Sequence, residues 1–208
     1  FQMRVLVFFS LLVAFTSAVE MQKQCLCSDL NPCIASVPKA IEDCGEKCKA
    51  HVTELGADYP AVRKCVLDQQ DDIQKAVDCV RAAFGDEVCA SKPGQEIPRR
   101  FAETMQLAAT REMNEGLKKS HLVDEAVPLI NHAKKAMGCW IKCGQSHSCA
   151  KKLDCGVKLP SDNEIIKVVK KCAIDAGFNT KRAKEICECL AHAGIKQLTP
   201  MCPKIIVS

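Results

Sequence analysis

Sixteen cysteines stand in this chain of 208 residues, eight between Cys25 and Cys89 and eight between Cys139 and Cys202, with none in the 49 residues from Ala90 to Gly138. Two even sets at that density read as an oxidised framework of up to eight bridges, formed in an exporting compartment. Cys25, Cys27, Cys33, Cys44, Cys48, Cys65, Cys79 and Cys89 make up the first set. Cys139, Cys143, Cys149, Cys155, Cys172, Cys187, Cys189 and Cys202 make up the second. All sixteen are assigned structural disulfide roles. Zinc is the competing use of such residues, but its sites repeat tight pairs and often add paired histidines, which spacings such as Cys44-x3-Cys48 and Cys187-x-Cys189 do not supply.

The compartment follows from the start of the chain. Behind Met3-Arg4 an apolar run extends from Val5 to Phe15, broken only by Ser10, and ends at the small-residue site Thr16-Ser17-Ala18. Residues 1–18 read as a secretory signal peptide, and the 11-residue run falls short of the roughly 20 needed to cross a bilayer. The tail Lys204 to Ser208 is too short for a lipid-anchor signal. Without residues 1–18, 28 Lys+Arg face 25 Asp+Glu, a balance of +3 with no basic cluster of the nucleic-acid type. A secreted extracellular protein with no membrane anchor and no nucleic-acid partner is expected.

Self-comparison indicates two related halves. Lys39-Ala40-Ile41 followed by Cys44-x-x-Lys47-Cys48 aligns with Lys135-Ala136-Met137 followed by Cys139-x-x-Lys142-Cys143. Lys64-Cys65-Val66-Leu67-Asp68 answers to Lys171-Cys172-Ala173-Ile174-Asp175, and the next cysteines, Cys79 and Cys187, follow at nearly equal distance. The apolar pattern is helical almost throughout. Val37, Ile41, Cys44, Cys48, Val52 and Leu55 form one stripe stopped by Gly56. Pro60 opens a second helix with Cys65, and Asp72 caps a third that ends before Gly85. In the second half, Ser161 and Glu164 make a capping box before Ile165, and Asn179 starts a helix closed by Gly194. No segment alternates long enough to predict a sheet.

The fold class predicted is all-α, a disulfide-rich helical protein built from two related cysteine-rich modules at 19–90 and 128–208. Residues 91–127 are read as a linker, marked by Lys92-Pro93-Gly94 and Ile97-Pro98, plus a bridging helix with Phe101, Met105, Ala108, Met113 and Leu117 on one face. That stripe is expected to be buried between the modules. Bridges are expected to stay within each half, as Cys48 with Cys65, Cys44 with Cys79, Cys143 with Cys172 and Cys139 with Cys187. With only Tyr59, Phe84, Phe101, Trp140 and Phe178 as aromatic residues beyond residue 18, the core leans on its disulfides.

Chemistry is not signalled. His51, His121, His132, His147 and His192 are scattered, and neither a His-Glu-x-x-His pair, a Gly-x-Ser-x-Gly elbow nor a phosphate-cradling glycine loop occurs. Acid pairs such as Asp71-Asp72, Asp86-Glu87 and Asp124-Glu125 read as helix-start residues. An even cysteine count leaves no spare nucleophile. No catalytic, cofactor-binding or metal-binding residue is assigned. The chain lacks an Asn-x-Ser/Thr sequon and any Ser-Gly dipeptide, and its few aromatics disfavour stacking on sugars.

The paired Cys-x-x-Lys-Cys and Lys-Cys-x-x-Asp elements resemble the cysteine-rich, all-helical secreted proteins expanded in nematodes, in particular the chondroitin proteoglycan 4 type domain, over residues 25–89 and 139–202. The resemblance implies the helical disulfide fold. The missing Ser-Gly sites depart from a proteoglycan role, and no residue role is carried over. Three readings follow from the sequence: a non-enzymatic extracellular interaction or matrix protein with an extracellular protein or matrix partner; a carrier of a small apolar molecule or lipid held between helices; and a protease inhibitor using Lys151 or Lys152 in an exposed loop between Cys143 and Cys155.

Overall fold

The computed structural model describes residues 19–207, so the expected signal peptide lies outside the described residues. The described chain is all-α and disulfide-rich. The helices run in the order α1 (Cys27–Ala35), α2 (Val37–Thr53), α3 (Tyr59–Leu67), α4 (Gln70–Phe84), α5 (Ala102–Lys119), α6 (Val123–Ser146), α7 (Cys149–Leu153), α8 (Asp162–Asp175) and α9 (Thr180–His192). No helix among the described residues is long and apolar enough to cross a membrane.

Local signals set most of these boundaries. The Asp58 carboxylate accepts the Ala61 N–H at the start of α3, and Asn179 accepts the Arg182 N–H at the start of α9. Ser161 and Glu164 form the reciprocal box that begins α8. Gly56, Gly85, Gly177 and Gly194 all take positive φ close behind helix ends. Asp72 does not cap α4 as expected. Gln69 holds that position, and Asp72 sits in the first turn, where its carboxylate binds Arg182 at 2.8 Å and Lys75 at 3.0 Å.

The pairing of helices corrects the sequence reading. Each helix of the first cysteine set lies against one from the second: α1 on α7, α2 on α6, α3 on α9 and α4 on α8. Six disulfides cross between the sets: Cys25–Cys155, Cys33–Cys149, Cys44–Cys143, Cys48–Cys139, Cys65–Cys189 and Cys79–Cys172. Only Cys27–Cys89 and Cys187–Cys202 stay within one set. None of the four expected bridges forms. The reason lies in thiol spacing: two cysteines one turn apart on α2 need a facing helix with two cysteines at the same spacing, and α6 supplies it.

The expected boundaries fail for related reasons. Segment 128–208 does not begin a separate unit, because α6 runs unbroken from Val123 through Pro128 to Ser146. The expected linker is also tied down. Glu96–Pro98 (β2) pairs antiparallel with Met21–Lys23 (β1), and Ile97 is buried. These three-residue strands are too short to show alternation in sequence. The same N-terminal arm continues past Gly156, where a Cβ would lie 2.2 Å from the end of the Gln22 side chain, so a larger residue there would have to displace that side chain.

Sulfur supplies much of the interior. Of 19 buried apolar residues among the described ones, eight are half-cystines, while Leu30, Val52, Ile97, Leu122, Ile165 and Met201 are the larger aliphatic members. Among the described residues, the one cluster of buried apolar side chains joins Leu122, Ala126 and Met201, with Leu117, Leu129 and Ile205 packed around it. Helix α5 buries no residue fully. It lies along α8 and α6, fixed by Lys170 to Glu112 at 2.6 Å and by Arg100 to Asp162, and its Phe101 and Met113 are exposed. The predicted stripe is therefore not a layer between two modules: Leu117 packs on the Leu122, Ala126 and Met201 cluster, while Phe101 and Met113 face solvent.

Candidate binding surface

Helices α2 and α6 run antiparallel, fastened by Cys44–Cys143 and Cys48–Cys139 with Cα atoms 5.7 and 5.8 Å apart. Two close staples fix both the separation and the rotation of the pair. Its two flanks carry different chemistry. On one flank Val37, Ala40, Ile41 and Trp140 line an apolar groove of about 220 Å³ that ends at His147 and Cys149. Ile41 and Trp140 remain 51% and 38% exposed, so this groove is open to solvent. Gly45 shapes its neighbourhood. A Cβ there would stand 2.8 Å from the Tyr59 hydroxyl and 3.7 Å from the Trp140 ring, so the glycine lets both rings close over α2. Burial there, and then the Glu46 carboxylate, push the Tyr59 phenol above its ordinary pKa.

The opposite flank is a basic groove of about 800 Å³. Lys47 and His51 line it from α2, and Lys134, Lys135 and Lys142 from α6, with Asn131, Gly138 and Ser146 between them. No carboxylate among the described residues lines it. Glu54, at its rim, approaches Lys135 at 3.8 Å and His51 at 3.5 Å. Sequence reasoning missed this groove, although the signal was present: Lys47 and Lys142 are the repeated lysines of the two Cys-x-x-Lys-Cys elements. Only the pairing of α2 with α6 brings them to one flank.

Elsewhere the titratable groups are engaged structurally. The Arg182 guanidinium and then the Lys75 ammonium hold the Asp72 carboxyl below its usual range. Lys158 does the same for Glu87 and Lys204 for Glu125, so one member of each acid pair singled out from the sequence is an ion-paired surface carboxylate held ionised. Asp162 is lowered by the Thr104 hydroxyl and by Arg100. A general acid needs the opposite shift. His147 lies beside Cys44 and Cys143, the one grouping of metal-ligand type among the described residues. Both sulfurs there are bonded to each other, and a thiolate ligand is thereby lost.

All sixteen cysteines are paired. Lys151 and Lys152 lie on the short helix α7, so the segment between Cys143 and Cys155 does not offer the exposed loop that protease inhibition was expected to use. Comparison with known protein families, with curated proteins and with solved structures finds no match.

Proposed function

We propose that the protein is a secreted, non-enzymatic extracellular binding protein, a rigid frame that offers the flanks of the α2–α6 pair to a partner outside the cell. The observation that carries this reading is the staple pair itself. Cys44–Cys143 and Cys48–Cys139 hold an exposed helix pair in one geometry, so a partner would not have to order it. The other disulfides brace the frame around it and suit the oxidising conditions outside the cell. A partner is taken to be an extracellular protein or matrix component.

The apolar-ligand carrier is the second reading, and the groove at Trp140 is what favours it. At about 220 Å³ and open along Ile41, it is smaller than the roughly 300 to 1,000 Å³ of common ligand pockets. Purification of the oxidised protein without detergent, followed by solvent extraction and mass spectrometry, separates the two. The binding-protein reading expects no bound lipid. One lipid per chain would replace it with the carrier.

A further inference from the structure

We infer that the basic groove between α2 and α6 is a binding site for a linear sulfated polysaccharide. This rests on the binding-protein reading and deepens it. Lys47, Lys134 and Lys142 line the groove, and among the described residues none of the three has a carboxylate partner. Lysines without a carboxylate partner occur elsewhere, as at Lys92 and Lys196, but here three share one groove that no carboxylate among the described residues lines. Here Asp43, one turn before Lys47, makes no ion pair with it, and Glu54 takes only Lys135 and His51. The groove follows α6 from Asn131 to Ser146, about 22 Å at the helical rise. That length, about four helical turns, suits a chain more than a compact anion.

Two further features point outward. Lys47 and Lys142 are equivalent positions of the two repeats, so cross-pairing of the halves sets the same ammonium twice on one flank, one from each helix. Gly138 lies in the groove floor inside α6, and a Cβ there would meet nothing within 4 Å. Without a side chain at this position the groove stays open there.

The lining residues choose among polyanions. A protein partner would be anchored by aromatic or arginine side chains, and neither lines the groove. Trp140 and Ile141 are not among its lining residues. Single-stranded nucleic acid would stack successive bases on several rings, and the lining offers one, the His51 imidazole, which faces Glu54 at 3.5 Å. Exposed Met137 and Ile141 stand one and two turns beyond Lys134 on α6, so an anionic membrane is the competing occupant, and tighter binding to anionic vesicles than to heparin would transfer the groove to it. The ammonium point charges of Lys47, Lys134 and Lys142, with the Asn131 amide at one end of the groove, match sulfate groups repeated along a chain. Recognition of this kind is ionic and does not call on the stacking that sugar-binding sites built from aromatics use.

The test is a calorimetric titration of the intact oxidised protein with heparin, hyaluronan, poly-glutamate and anionic vesicles at two salt concentrations. Heparin is expected to bind, more weakly as salt rises. Replacing Lys47, Lys134 and Lys142 together by Gln should weaken it by about tenfold, from the modest contribution of each exposed ion pair. Replacing Lys92, Lys152 and Lys196 by Gln makes the same change in net charge away from the groove and should alter affinity less than about twofold. Equal loss in the two triple variants, or no heparin binding at all, overturns the site. Hyaluronan binding as tight as heparin overturns the sulfate assignment, and tighter poly-glutamate binding transfers the groove to an acidic protein. A lipid-free protein that ignores heparin loses only this inference, whereas a lipid-loaded one loses the reading beneath it.

Discussion

Removing the bridge between Cys48 and Cys139, by replacing both with alanine, tests how the covalent network is nested. Taken alone, the bridge closes a sequence separation of 91, worth about 4.6 kcal/mol of chain entropy. It is not alone. With Cys44–Cys143 still closed, the chain between the two staples runs only four residues along each helix, an effective loop of about ten, worth about 2.7 kcal/mol. Cys48 is fully buried, so loss of its sulfur adds about 1 kcal/mol for the void left behind. A loss of about 3 to 4 kcal/mol is expected, read from urea unfolding of the oxidised variant by the emission of Trp140, the only tryptophan. Unreduced peptide mapping of the same variant should still recover Cys44 joined to Cys143. A loss beyond about 5 kcal/mol, or a map in which Cys44 has taken another partner, would refute the nesting.

Two further outcomes arise from the same geometry. Trypsin cleavage between Lys92 and Arg100 should release no fragment without reductant, because six disulfides join the two sides of the cut; a free, folded N-terminal piece on a non-reducing gel would contradict the pairing. Gly194→Ala should cost about 2 to 4 kcal/mol, since φ is +110° there and the new Cβ would lie 2.4 Å from the Gly56 carbonyl oxygen, whereas Gly138→Ala should gain about 0.5 to 1 kcal/mol in an open helical site. Thermal melts that move both variants in one direction would show that the two glycines are not distinguished as described.

Helices were largely legible because their signals are local. Pro60, the Ser161 to Glu164 box, and the glycines behind α2, α4 and α9 act within a turn of chain, and they stand where the pattern put them. Partner choice was not, because apolar stripes state that a face is covered without stating by what. Two errors share that origin. Asp72 looked like a cap from its neighbours in sequence, but Arg182, 110 residues away, engages it from α9. The segment with Pro93 and Pro98 looked like a break, but the N-terminal arm pairs with it over three residues. The basic groove belongs to the same class, since its lysines come from helices far apart in sequence.

Yet the pairing had a signal that counting thiols would have found. Among the helices, α2 and α6 each present two cysteines at i, i+4, at Cys44 and Cys48 and at Cys139 and Cys143. A single thiol on α3 or α4 can satisfy only one of such a pair. Placed antiparallel, the two double helices satisfy both, first with last: Cys44 with Cys143 and Cys48 with Cys139. That is the rule of a two-fold interface, in which residue i meets j and j meets i, here between the two cysteine sets of one chain. The rule extends outward. Exchanging α3 with α8 and α4 with α9 turns Cys65–Cys189 into Cys172–Cys79, which is also present. It makes Cys189, not Cys187, the counterpart of Cys79, and leaves Cys187 to close locally on Cys202. The two cysteine sets of this chain therefore do not form two modules side by side. Each half is the template against which the other closes, and a flank carrying Lys47 and Lys142 together can exist only when both halves are present.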